Sequence, residues 1–135
     1  MALIDWDDSF TVNVKQLDDQ HKQIIGMINN LHAAMQAGKG RQEVGEIINK
    51  MVEYTRLHFS SEEKVLSENG YPAYNDQKRA HDAFTQRVLD FQQQYQQSNL
   101  VLSLQVIGFL KEWWTGHILG EDRKYAAFLN QKGVR

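Results

Sequence analysis

The sequence contains no cysteine. That excludes disulfides, thiolate zinc sites, cysteine-ligated iron–sulfur clusters and thiol catalysis. It has one proline, Pro72, far too few for a turn-rich β protein and compatible with long uninterrupted helices. An excess of one charge sign is also missing. The formal net charge is −2 and the pI is near 6.2, so nothing in the balance calls for nucleic acid or an anionic membrane as partner. No segment approaches the ~20 apolar residues that span a bilayer. Residues Met1 to Asp8 lack a basic start and an apolar run, so no signal peptide is expected and a cytoplasmic location is. What is present is 135 residues, 41% hydrophobic and 24% charged, the size and balance of one domain with a packed core.

Four segments carry helical spacing. The first is expected to start after Asp18-Asp19, good N-cap types, and places Ile24, Ile28, Leu31 and Met35 on one face before stopping in Gly38-Lys39-Gly40. The second, from about Arg41 to Ser67, aligns Val44, Ile48, Met51, Thr55 and Val65 and ends at Asn69-Gly70. Tyr71-Pro72-Ala73 makes a corner. The third runs from about Tyr74 to Gln97 through Phe84, Val88, Phe91 and Tyr95. Ser98 or Asn99 caps the fourth, which passes through Leu110, Trp114 and Tyr125 to about Leu129. Short connections between long helices imply antiparallel neighbours. The expected fold is therefore all-α: an up-down-up-down four-helix bundle over 18–130. Residues 1–17 form an extended arm whose Trp6 and Phe10 pack onto it. The whole of 1–135 reads as one domain.

The informative residues are polar ones on the apolar stripes. His21 lies one turn before Ile24 and Ile25; His58 and Glu62 follow Thr55 inward; Gln77 and His81 precede Phe84; His117 sits between Leu110 and Tyr125. Each helix thus turns one histidine toward the axis, and one adds a carboxylate. A single buried histidine is usually just a satisfied core residue. Four in one layer with an ionised glutamate are different, because the buried charge costs several kcal/mol unless paired or metal-bound. His58 and Glu62, at i and i+4, share a helix face and can serve the same or adjacent ions. Imidazole with carboxylate and without thiolate suits non-haem iron, manganese or zinc, and bundle cores house two-metal carboxylate sites.

A second carboxylate comes from Glu121 or Asp122. Simple helix geometry prefers Glu121, at i+4 from His117. Asp122, about 100° further round, needs a widened turn or a place between facing helices, and Gly116 and Gly120 leave room for either. Spacing alone does not choose. His32 is nearly in phase with His21 but ~16 Å along the axis, so it is expected at the core edge or surface, outside the site.

These residues resemble a known family. Trp6, Leu17-Asp18-Asp19-Gln20-His21 and Asn29-x-Leu31 are similar to the arm and first helix of a hemerythrin of the single-domain bacterial form (bacteriohemerythrin). Tyr54-x-x-x-His58-Phe59-x-x-Glu62-Glu63 resembles its second helix, and Gly70-Tyr71-Pro72 followed by His81-Asp82-x-Phe84 its third. The most specific likeness is Trp113-x-x-x-His117-Ile118-x-x-x-Asp122-x-x-Tyr125, because a five-residue His-to-Asp interval is unusual. The resemblance covers nearly the whole chain in order.

It implies two non-haem iron ions, ferrous or ferric and joined by an oxo or hydroxo bridge, that bind dioxygen reversibly for transport, storage or sensing. Glu62 and Asp122 would bridge the irons. His21 and His58 would hold one, with an open position for oxygen; His81 and His117 would hold the other with one further histidine. Phe59, Trp113 and Ile118 would wall a dry oxygen pocket. Trp114, where the family usually has leucine, would narrow the route to it or pack between helices.

The sequence departs from the family where a histidine is expected four residues before His81: the residue is Gln77. Three outcomes follow, in which Gln77 coordinates through oxygen, water or another ligand fills the place, or the second iron binds weakly. An oxygen binder rather than an enzyme is the expectation. The alternative is a di-iron enzyme acting on O2 or peroxide through a more open site, although the paired Glu-x-x-His motifs of di-iron oxygenases are absent from this sequence. A plain helical interaction module is the third reading.

Overall fold

A computed structural model of the chain describes residues 3–38, 41–98 and 104–135, with helices, turns and no strand among the described residues. Helix α1 spans Lys15–Gln36, α2 Arg41–Glu68, α3 Tyr74–Ser98, α4 Leu104–His117 and α5 Arg123–Gln131. A π turn, Ile118–Asp122, joins α4 to α5, with helical backbone at both its flanks, so the fourth rod of the bundle continues through it. Helix α1 packs on α2, α2 on α3, and α4 returns to α1. Phe84 of α3 stacks on Phe109 and Trp113 of α4 and closes the ring. The expected four-helix bundle is present. Helix α1 stops before Gly38 as expected, with Lys39-Gly40 outside the described residues. The expected cap of the fourth helix is not at Ser98, which is still the last residue of α3, and α4 is described from Leu104; the alternative cap, Asn99, lies outside the described residues.

Two apolar clusters fill the bundle. The larger holds Ile24, Ile28, Leu31, Ile48, Leu110 and Trp114 among others. The smaller, at the opposite end, holds Val12, Val14, Leu17, Leu66, Tyr125 and Leu129. On each helix the inward polar residues fall between these clusters: His21 between Leu17 and Ile24, His58 and Glu62 between Val52 and Leu66, His117 and Asp122 between Trp114 and Tyr125. Each fully buried Leu or Ile contributes about 1.5–3 kcal/mol, so apolar packing on both sides clamps the polar layer in place.

Helix α1 begins at Lys15, earlier than the Asp18-Asp19 caps suggested. Asp18 has another task. Its carboxylate accepts the Thr11 hydroxyl at 2.5 Å and the Val12 N–H at 2.9 Å, which pins the incoming arm to the first turn. The arm is also less extended than expected, with one 3-10 turn at Asp8–Phe10. Phe10 is buried and Trp6 packs against the larger cluster, as the sequence suggested. Asn29 of α1 grips Ile4 through both its backbone N–H and C=O, each at 2.9 Å.

The corner between α2 and α3 ends as the Asn69-Gly70 signal predicts. Gly70 adopts φ +69°, the Gly70 N–H bonds the Ser67 carbonyl and the Tyr71 N–H bonds that of Leu66. This is a left-handed C-cap in which a side chain at Gly70 would be strained. No described helix is long and apolar enough to cross a membrane.

Replacing Asp18 by Ala should lower stability by about 1–3 kcal/mol, the cost of two hydrogen bonds to one charged group. The check is a lower urea midpoint at unchanged slope, with the exposed Asp19→Ala leaving the midpoint essentially unmoved.

Candidate metal centre

All four rods deliver donors to one layer. His21 comes from α1, His58 and Glu62 from α2, Gln77 and His81 from α3, and His117 and Asp122 from the two edges of the π turn. These seven side chains are buried, His117 the least at 7% exposed. His32, by contrast, is half-buried and takes no part in the cluster.

The two carboxylates divide their oxygens. Glu62 Oε2 lies 3.5 Å from His21 Nε2 and 3.2 Å from His58 Nε2, whereas Glu62 Oε1 lies 3.0 Å from His81 Nε2. Asp122 does the same: Oδ2 is 3.1 Å from His21 Nε2 and Oδ1 is 3.2 Å from His117 Nε2. Each acid therefore offers one oxygen to the His21–His58 side and the other to the His81–His117 side. Two donor groups emerge, His21 with His58 and Glu62, and His81 with His117, Glu62 and Asp122.

Short distances are not matched by hydrogen bonds. The Nε2 atoms of all four histidines, Glu62 Oε1, Asp122 Oδ2 and Gln77 Oε1 are buried without a hydrogen-bond partner among the described residues. Buried polar atoms are almost always satisfied, and leaving each one orphaned costs about 1–3 kcal/mol. Lone pairs that converge but do not bond to one another are what a bound cation satisfies. The donor set, imidazole nitrogen with carboxylate oxygen, fits iron.

The π turn brings Asp122, and not Glu121, into the buried layer. The Arg123 N–H reaches the Ile118 carbonyl five residues back, so the turn holds one extra residue. Asp122 is carried inward to zero exposure, while Glu121 faces outward, 43% exposed and 3.3 Å from Lys124. Neither glycine makes the room: an added Cβ at Gly116 or Gly120 meets nothing within 4 Å.

A further ring of residues orients the donors. Gln20 Oε1 accepts from His58 Nδ1 at 2.7 Å, Glu63 Oε2 from His81 Nδ1 at 2.8 Å, and the Tyr125 hydroxyl donates to Glu62 Oε2 at 2.9 Å. Such contacts fix which ring nitrogen faces a metal and raise its basicity. They were not singled out as site residues from the sequence. A signal existed for two of them: Gln20 sits one turn before Ile24 on the buried stripe, and a buried tyrosine hydroxyl must find a partner.

Electrostatics keeps the acids ionised. Burial raises the Glu62 pKa, but His58, His21 and His81 together hold it well below the usual carboxylate range. Burial and Glu62 raise that of Asp122, and His117 and His21 bring it below normal. For His21 burial works against the charged form, yet Asp122 and Glu62 push its pKa up to about 9. His81 is likewise raised by Glu62 and Glu63 against its burial, while burial dominates at His58 and lowers it. Burial and the nearby acids hold Tyr125 well above 10, so its hydroxyl stays a donor.

Aromatic rings back the layer on one side. Phe59 stacks on His81 at 3.9 Å and on Trp114 at 5.6 Å, and Trp113 stacks on His117 at 4.4 Å. Trp114 lies 6.0 Å from His58, and Ile118 is fully buried in the same apolar cluster.

In protein purified from iron-supplied cells, His58→Ala or Asp122→Ala should lose most of the bound metal, and His32→Ala or Glu121→Ala should keep it. Metal-to-protein ratios by elemental analysis check this; equal losses from the inner and outer pairs would contradict the geometry.

Comparison with known proteins gives the same picture. The Hemerythrin HHE cation binding domain family matches residues 12–129. A bacteriohemerythrin of Stenotrophomonas maltophilia (strain R551-3) is 38% identical over 135 residues, covering 97% of this chain and 87% of that protein. A bacteriohemerythrin of Methylococcus capsulatus (strain ATCC 33009 / NCIMB 11132 / Bath) is 31% identical over 131 residues, covering 96% and 99%. A crystal structure of wild-type hemerythrin superposes with a TM-score of 0.87 at 31% identity, covering 93% of this chain and 97% of that one. The layered donors, the π turn and these matches agree: the chain belongs to the hemerythrin family.

Proposed function

We propose that the protein binds dioxygen reversibly at a non-haem di-iron centre. His21 and His58 with Glu62 Oε2 and Asp122 Oδ2 would hold one iron. His81 and His117 with Glu62 Oε1 and Asp122 Oδ1, and Gln77 beside them, would hold the other. The observation that carries this reading is the division of both carboxylates between the two histidine pairs, with Asp122 Oδ2 3.1 Å from His21 and Oδ1 3.2 Å from His117. One metal would leave half of those oxygens unused. When bound, the iron pair supplies the redox change and the open coordination that dioxygen uptake needs.

The chain's own residues do the rest. Glu62 and Asp122 bring two buried negative charges to the layer, which would offset the charge of bound metals where water is largely excluded. Gln20 and Glu63 hold His58 and His81 with Nε2 turned inward, and Tyr125 fixes Glu62. Phe59, Trp113, Trp114 and Ile118 give the layer an apolar wall. Such a wall admits a small nonpolar ligand and, by keeping water and protons away, slows loss of the reduced state. On this reading residues 1–135 work as one domain, with the arm as its brace.

Iron-reconstituted protein, reduced without oxygen, exposed to it and then purged, should develop and lose a visible band over repeated cycles. A band that never forms overturns the reading. So does one that forms once without reversing while dioxygen or added peroxide is consumed, a result that favours an oxidative enzyme instead.

A further inference from the structure

Gln77 is buried to 1% exposure, and its two amide atoms meet different fates. Nε2 donates to Asp122 Oδ1 at 3.0 Å, while Oε1 has no hydrogen-bond partner among the described residues. The amide cannot profitably turn over. Its oxygen would then face an ionised carboxylate oxygen, and the N–H donor would be stranded. Asp122 therefore locks the amide with its carbonyl lone pairs free, in the layer where every other orphaned donor belongs to a histidine or a bridging acid except the indole nitrogen of Trp114. A hydrogen bond from the amide N–H to an anion also polarises the carbonyl, making Oε1 a better oxygen donor.

Resting on the di-iron reading, we propose that Gln77 Oε1 is a ligand to the metal on the His81–His117 side, held in aim by Asp122. Asp122 Oδ1, its anchor, is the oxygen that faces His117. That metal would then have two imidazole nitrogens and three oxygens, from Glu62, Asp122 and Gln77, against two nitrogens and two oxygens from His21, His58, Glu62 and Asp122 on the other side. The two positions differ in chemical hardness. Exchanging an imidazole nitrogen for a carbonyl oxygen weakens the preference for later divalent metals and keeps manganese(II) in contention. The centre is thus built to bind its second metal with less discrimination than its first.

The test is anaerobic titration of the metal-free protein with cobalt(II), followed by its visible bands, and with manganese(II), followed by loss of the free-ion magnetic resonance signal. Folding of each variant is verified by circular dichroism. Gln77→Leu should weaken one binding step by roughly tenfold or more and leave the other nearly unchanged. Gln77→Glu keeps an oxygen donor but sets a second anion against Asp122 Oδ1 in place of the N–H, a repulsion that a bound cation relieves, so in the presence of metal that step should be retained or strengthened. Gln77→His should shift that step's preference from manganese toward cobalt.

If Gln77→Leu leaves both steps intact, Oε1 is not a ligand. If Gln77→Glu fails as badly as Gln77→Leu, the amide serves only to position Asp122, and the proposal also falls. Absence of any metal uptake by the unaltered protein would instead overturn the metal-centre reading from which the proposal starts.

Discussion

Two carboxylates shared among four imidazoles are the constraint around which the bundle is organised. Glu62 and Asp122 are fully buried and remain ionised, a state that would cost several kcal/mol each without compensation. His21 and His81, their pKa values raised by these acids against the effect of burial, offset part of this charge. The offset is incomplete as hydrogen bonding, because the inward nitrogens and several oxygens find no aligned partner. The layer is therefore a poor core and a good receptacle for cations.

Such a layer survives because the rest of the fold does not yield. Apolar clusters lie at both ends of it, the N-terminal arm is pinned by Asp18 and Asn29, and rings stack directly on His81 and His117. Donors set on packed helices hold their geometry better than donors on loops. The π turn is the local concession. It spends one irregular turn to put His117 and Asp122 on the same face, and Glu121, displaced outward, joins Lys124 at the surface. Single π turns inside helices are frequent at functional sites.

Much of this was legible in the sequence. The helical period exposed the bundle, with a single proline leaving the long helices uninterrupted, and it also exposed His21, His58, Glu62, Gln77, His81 and His117 as polar residues on buried faces. Asp122 was not legible from an ideal helix, because its inward position exists only in a widened turn, where ideal spacing favoured Glu121. Likeness to the family pointed to Asp122, and the backbone supplies the physical reason. The start of α1 was misplaced because Asp18 has the chemistry of an N-cap but uses its carboxylate across the chain, on Thr11 and Val12. Gln20 and Glu63 act through histidine nitrogens on other helices, and a pattern along one helix does not reveal a partner on the next. Gln77 shows the opposite lesson: the departure was plain in the sequence, but the direction of its amide needed Asp122 in place.

The central claim is a pair of metals bridged by two shared acids. Anomalous scattering at the iron edge from crystals of iron-loaded protein tests it most directly. The account predicts two peaks in the polar layer, one beside His21 and His58 and one beside His81 and His117, with Glu62 and Asp122 each touching both. A single peak, or two peaks with either acid bound to only one of them, would contradict it.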